Sequence, residues 1–226
     1  MDIGSPQFWI AGLEIIVINI LLSGDNAVVI ALACRNLPPG QRRWGIFWGA
    51  IGAIVLRIIL TFFAVSLLKL PYLKIVGGIA LLWIGIKLIA QEEDGDIDVK
   101  AKEKLLAAVW TVIVADIVMS IDNVLGVAAA AKGNLPLLVF GLVVSIPLII
   151  AGAQLVMKVI ERYPVLIVAG GGLLGFIAGE LVIDDTLIGP WVDAKASWLD
   201  WAAPIAGIAL VVGPAKWLEA RRGHAA

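Results

Sequence analysis

Two strings of four residues, Ser23-Gly24-Asp25-Asn26 and Ser120-Ile121-Asp122-Asn123, set a carboxylate beside an amide inside long apolar segments. A charge at bilayer depth costs at least ~2.5–3.5 kcal/mol on insertion scales. Two such acids in matching surroundings point to a common ligand, and the ligand carboxylates favour is a cation. Carboxylates, amide oxygens and freed backbone carbonyls suit hard ions such as magnesium, calcium or manganese, whereas zinc and copper recruit His or Cys. The chain has one cysteine, Cys34, and one histidine, His224 in the C-terminal tail. That excludes an intrachain disulfide, a thiolate cluster and imidazole chemistry within the apolar segments.

Helix geometry decides which groups share a face. Glu14 and Asp25 are eleven positions apart, so on one continuous helix they lie within about 20° of each other. Asn19 and Asn26 share a second stripe, and Asp116 and Asn123 repeat its seven-residue spacing. Ser23-Gly24 invites a local break, because serine and glycine weaken the backbone ladder and free carbonyls for coordination. The expected metal site is Glu14, Asp25, Asn26, Asp116, Asp122 and Asn123, with Asn19, Arg57 and Met119 as metal or charge partners. Met119 offers a soft sulfur one turn from Asp122, or is an ordinary packing residue. Arg57, central in an apolar segment, must pair with an acid or face water. It is a structural counter-ion or a transport residue. The simpler alternative for the acids is a hydrogen-bond network that holds helices together. Glu180, Asp184 and Asp185 form an external acidic mouth or, more simply, a solvated loop.

These groups need a membrane scaffold. Of 226 residues 61% are hydrophobic and 15% charged, against roughly 25% charged in soluble domains, and the mean hydropathy is +1.01. The nine Trp and two Tyr mostly fall near segment ends, as interfacial belts require. A net charge of -1 gives no reason to expect nucleic acid. Apolar runs predict seven transmembrane helices at about 10–33, 45–68, 71–90, 105–131, 136–159, 163–183 and 199–218. The runs are continuous rather than alternating, which predicts an all-α membrane protein and not a barrel. No cleavable signal peptide is visible, so the first helix is expected to be retained. Eleven Lys and Arg fall in connections on one side and four on the other. This predicts an external N-terminus and a cytoplasmic C-terminus in a bacterial cytoplasmic membrane, with 91–104 as a charged cytoplasmic loop.

The chain also repeats. An offset of 97 maps Asn19 to Asp116, Ser23 to Ser120, Asp25 to Asp122 and Asn26 to Asn123. Further on, Trp48-Gly49 matches Phe140-Gly141, Pro71 matches Pro164, and Gly77-Gly78 matches Gly170-Gly171. Repeat one covers about 8–90 and repeat two about 105–183, with an extra helix at about 199–218. An odd number of spans per copy predicts two inverted three-helix repeats, the arrangement of many secondary transporters. Gly171-x3-Gly175-x3-Gly179 and Gly45-x3-Gly49 mark close helix packing. There is no Walker loop, nucleophile elbow or H-E-x-x-H helix, so no enzymatic activity and no tightly bound cofactor are expected.

The paired S-x-D-N strings, with Leu13-Glu14 ahead of the first and Asp116 ahead of the second, resemble the TerC family of integral membrane proteins. The resemblance runs from about residue 8 to 184. It implies a seven-span protein of the LysE superfamily, associated with manganese efflux and, by name, tellurite resistance. It implies intramembrane acids at Glu14, Asp25, Asp116 and Asp122. Thr111 stands where the second copy would match Glu14, so the site is not symmetric. The expected function is export of a divalent cation, Mn2+ first, by ion exchange. Alternatives are export of a cationic metabolite such as an amino acid and a non-transporting, metal-sensing membrane scaffold. The expected partners are the lipid bilayer and the metal ion, with self-association open.

Overall fold

Continuously apolar runs leave the backbone only itself to bond to in lipid, and every described element is an α-helix. This computed structural model describes residues 6–21, 23–67, 70–90, 101–131 and 134–223. The expected charged loop lies outside the described residues as far as position 100, as do Lys69, Lys132 and His224. The first expected span is two helices, α1 (Pro6–Leu21) and α2 (Gly24–Cys34), bent by 50° relative to each other. Ser23 carries the break, with φ -113 and ψ 4. Helices α3 (Pro39–Leu67), α4 (Leu73–Ala90), α5 (Ala101–Ala131), α6 (Leu135–Arg162) and α7 (Val165–Ile183) follow. Pro39 opens α3, where its missing N–H has no intrahelical partner to lose. A short α8 (Gly189–Lys195) occupies a connection expected to be loop, and α9 (Leu199–Gly223) closes the chain. By length and composition six helices can cross a membrane, or seven when the bent pair counts as one span.

Packing divides the chain into two units. The first takes α1, α2, α3 and most of α5 and α6; the second takes α4, α7, α8 and α9. Within the first unit, Gly49 lies against Val112, Gly52 against Ile113, and Arg57 beside Asp116, so α3 and α5 run in the same direction. Gly12 lies against Phe140, Gly141 against Ile15 and Gly152 against Ala27, so α1–α2 and α6 also run together. Gly45 meets Cys34 while Arg57 meets Ser23, so α3 runs opposite to α2. Hence α1–α2 opposes α5, and α3 opposes α6. Within the second unit, Gly78 faces Val182 and Gly85 faces Gly171, so α4 opposes α7. Within each unit, elements at matching places in the two stretches of sequence run in opposite directions.

Small residues set the spacing of the second unit. Gly171 packs on α4, whereas Gly175 and Gly179 meet the backbone of Gly207, Ala203 and Pro204 on α9. Contact of this kind replaces the hydrophobic drive that lipid removes. The expected acidic mouth takes a different form. Asp185 is 1% exposed, and its carboxylate accepts from the backbone N–H groups of Tyr72 at 3.3 Å, Lys74 at 3.2 Å and Leu187 at 3.1 Å. It caps the start of α4, where orphan N–H groups and the helix dipole favour an anion. It also holds Tyr72 at its positive φ of 66. Asp185 is therefore neither solvated nor open to collect cations.

A side chain at Gly207 would fall on the carbonyl oxygen of Gly175, so Gly207→Ala forces α7 and α9 apart. Overpacking of this sort costs about 1–3 kcal/mol, and a lower thermal unfolding midpoint in detergent is expected. Gly172→Ala meets Ile208 and Val212 at 3.6 and 3.7 Å, ordinary contact distances, and should keep or raise that midpoint. Equal midpoints for the two variants would contradict this packing.

Candidate functional site

Helix α3 is apolar on every side at its middle, yet it carries Arg57 there, 2% exposed. A buried guanidinium needs acceptors for its five N–H groups, and the first unit supplies side-chain oxygens from α1, the break and α5. Arg57 Nη2 bonds Asp116 Oδ1 at 2.6 Å. Its Nη1 donates to Asn19 Oδ1 at 2.6 Å and Ser23 Oγ at 3.1 Å, and its Nε donates to Ser120 Oγ at 3.0 Å. The acceptors bond one another in turn. Ser120 Oγ donates to Asp116 Oδ2 at 3.1 Å, and Ser23 Oγ to Asn19 Oδ1 at 3.5 Å. The amide of Asn19 donates to Ser145 on α6, whose hydroxyl donates in turn to Leu142 O at 2.7 Å. Asn19, Ser120 and Ser145 are wholly buried.

The pattern behind this network is visible in the sequence. Asn19-x3-Ser23 and Asp116-x3-Ser120 are the same pair under the offset of 97. Spacing of i, i+4 places each pair on one helix face. Each copy offers a side-chain oxygen and a hydroxyl, and one guanidinium takes all four. Ser145 carries no such signal, being a lone hydroxyl in an apolar run.

The residues of the expected six-residue metal site stand in different settings. Asp116 is 4% exposed and both its oxygens are engaged, one by Arg57 and one by Ser120. It stands here as the counter-ion of Arg57. Asp25 lies half-buried in the first turn of α2, where its Oδ1 accepts the Asn26 N–H at 2.7 Å. Asn26 is buried and Asn123 half-buried. Glu14 is exposed on α1 and does not join the groups around Arg57. The shared face expected for Glu14 and Asp25 assumed one continuous helix, and the 50° bend between α1 and α2 breaks that register. Asp122 belongs to α5, but its side chain lies outside the described residues. Met119 is packed in the core at 4% exposure. Thr111, at the place matching Glu14, bonds Ala107 O at 2.8 Å within its own helix. Among the described residues no three of His, Cys, Asp and Glu stand close enough to hold a metal.

The comparisons with known proteins follow the membrane architecture. A family model described as "Integral membrane protein TerC family" matches residues 4–223. "Uncharacterized membrane protein YjbE" of Bacillus subtilis is 40% identical over 206 residues, covering 91% of this chain and 94% of that protein. "Uncharacterized membrane protein YceF" of the same organism is 28% identical, covering 76% of this chain and 70% of the relative. "UPF0053 inner membrane protein YgdQ" of Escherichia coli is 24% identical over 72% of this chain and 75% of its own length. No solved structure matches significantly.

Removing one member of a buried ion pair leaves the other charge uncompensated, at about 3–5 kcal/mol, whereas an apolar replacement of both is often neutral. Arg57→Met is therefore expected to lower the unfolding midpoint sharply, and Arg57→Met with Asp116→Leu to recover most of the loss. A double variant no more stable than Arg57→Met alone would show that the two charges are not coupled.

Proposed function

We propose that this chain, which belongs to the TerC family of integral membrane proteins, exports a divalent cation, Mn2+ first, from the cytoplasm in exchange for protons or another ion. The observation that carries the reading is the setting of Arg57: a cation at the middle of an apolar helix, held by side-chain oxygens alone. Oxygen donors of this kind suit hard cations. Interrupted helices that line such sites are a recurring device of secondary transporters, and the break at Ser23 contributes directly to the cage. Opposed directions of matching helices support two inverted copies. So does one contact between the copies made twice: Gly49 of the first against Val112 of the second corresponds to Gly141 of the second against Ile15 of the first. In this reading Asp25 is the entry carboxylate, with Asn26 next to it and Asp122 and Asn123 at the matching places of the second copy. Asp116 is reached after it, and Glu14 has no direct part in the inner site. The N-terminus faces outside and the C-terminus the cytoplasm of a bacterial inner membrane.

A non-transporting scaffold draws on a different observation, the near-complete burial of the network. Transport by purified protein in proteoliposomes separates the two, since a scaffold moves no metal.

Asp25→Asn removes charge at nearly constant shape. In a strain lacking the native gene, wild type is expected to lower cellular manganese, whereas a membrane-inserted Asp25→Asn protein is not. Unchanged export in both Asp25→Asn and Asp122→Asn would refute the site.

Protons and metal compete for the same carboxylate oxygens, so Mn2+ binding is expected to strengthen as pH rises across roughly 6–8. An affinity independent of pH is incompatible with proton exchange here. Met119→Ala should narrow the preference for manganese over magnesium if its sulfur is a ligand, and leave it unaltered if Met119 only packs.

A further inference from the structure

The cage around Arg57 has matched walls and an unmatched occupant. Asn19 with Ser23 and Asp116 with Ser120 correspond under an offset of 97. Helices α3 and α6 correspond under the offset of 92 that aligns Trp48-Gly49 with Phe140-Gly141, and this places Ile149 opposite Arg57. Ile149 is buried in its turn. Two copies thus build the walls, and one copy sends a cation into them. The walls consist of side-chain oxygens, which rotate, and not of backbone carbonyls, which are fixed by the helix ladder. The guanidinium already takes the positions a hard cation would need, with contacts of 2.6 to 3.1 Å to oxygen. Two cations cannot share that space, because at such separations in a low-dielectric setting they repel strongly.

We propose that the Arg57 guanidinium is a tethered stand-in for the transported ion, so that metal enters these oxygens only when Arg57 leaves them and departs when Arg57 returns. This rests on the reading of the protein as a cation exporter. The exchange also selects charge. A monovalent ion replacing a monovalent guanidinium gains nothing from Asp116, whereas a divalent ion adds one unit of charge beside that carboxylate. Sodium and potassium therefore lack the electrostatic gain that a divalent ion has in the exchange. When the metal leaves, Arg57 keeps the carboxylate from standing bare in hydrocarbon.

The test is titration of the full chain in lipid nanodiscs with MnCl2 alone, beside Mn2+ flux in proteoliposomes. Arg57→Gln removes the competitor, so it is expected to bind Mn2+ about tenfold more tightly, the gain that follows when the occupied state no longer withholds the site. The same variant should lose turnover, since nothing drives the ion out. Arg57→Lys, a point charge unable to bridge four acceptors, should tighten binding by about threefold. Adding Asp116→Asn to either variant should remove the gain. Folded Arg57→Gln and Arg57→Lys proteins with wild-type or weaker affinity overturn the proposal. If Arg57→Gln does not fold, Arg57→Lys decides in the same two directions. The two readings fail separately. Mn2+ binding that tightens in Arg57→Gln while wild type moves no Mn2+ in proteoliposomes would sink the export function and keep the stand-in. Asp25-dependent binding indifferent to Arg57 would do the reverse.

Discussion

A guanidinium in the middle of an apolar helix imposes more on this fold than any other group. Desolvating that charge is costly unless every donor finds an acceptor, and lipid offers none. The acceptors must come from neighbouring helices, which supply four: Asn19 and Ser23 at the broken first span and Asp116 and Ser120 on α5, with Ser145 on α6 one bond further out. Each of these polar residues would be a liability in its own apolar helix. Together they satisfy one another, and the break between α1 and α2 becomes a requirement of the network, because Ser23 serves it from the broken turn.

The second unit solves burial by other means. Its helices meet through glycine, with α7 and α9 close enough that backbone touches backbone at Gly175 and Gly207. Its buried acid, Asp185, is satisfied by the backbone N–H groups of Tyr72 and Lys74 at the start of α4 and of Leu187 in its own turn. A carboxylate used in this way is a cap. One used as Asp116 is used balances a charge that could be exchanged for another. The same residue type carries opposite functional meaning in the two units, and only its hydrogen-bond partners tell the two apart.

Membership of the TerC family fits a chain of long apolar helices that carries matched polar pairs within them. The relatives named membrane proteins match this sequence over most of their length. In the proposed reading, a site of side-chain oxygens around a tethered cation suits exchange better than tight storage, since the guanidinium itself refills the site when the ion leaves.

Much was legible in the residues alone. Continuous apolar runs fixed the helices and their approximate ends, because lipid forbids other backbone structure. Ser23-Gly24 marked the break, and the offset of 97 marked the paired oxygens. The sequence also required a partner for Arg57 without naming it. What the tertiary structure decided is which side chains meet. Convergence depends on how each helix is rotated and crossed, and a bend of 50° was enough to void the register that joined Glu14 to Asp25. The same dependence turned Asp116 from a free ligand into a counter-ion and Asp185 from a surface acid into a cap. Periodicity gives the face of a helix; only packing says what that face looks at.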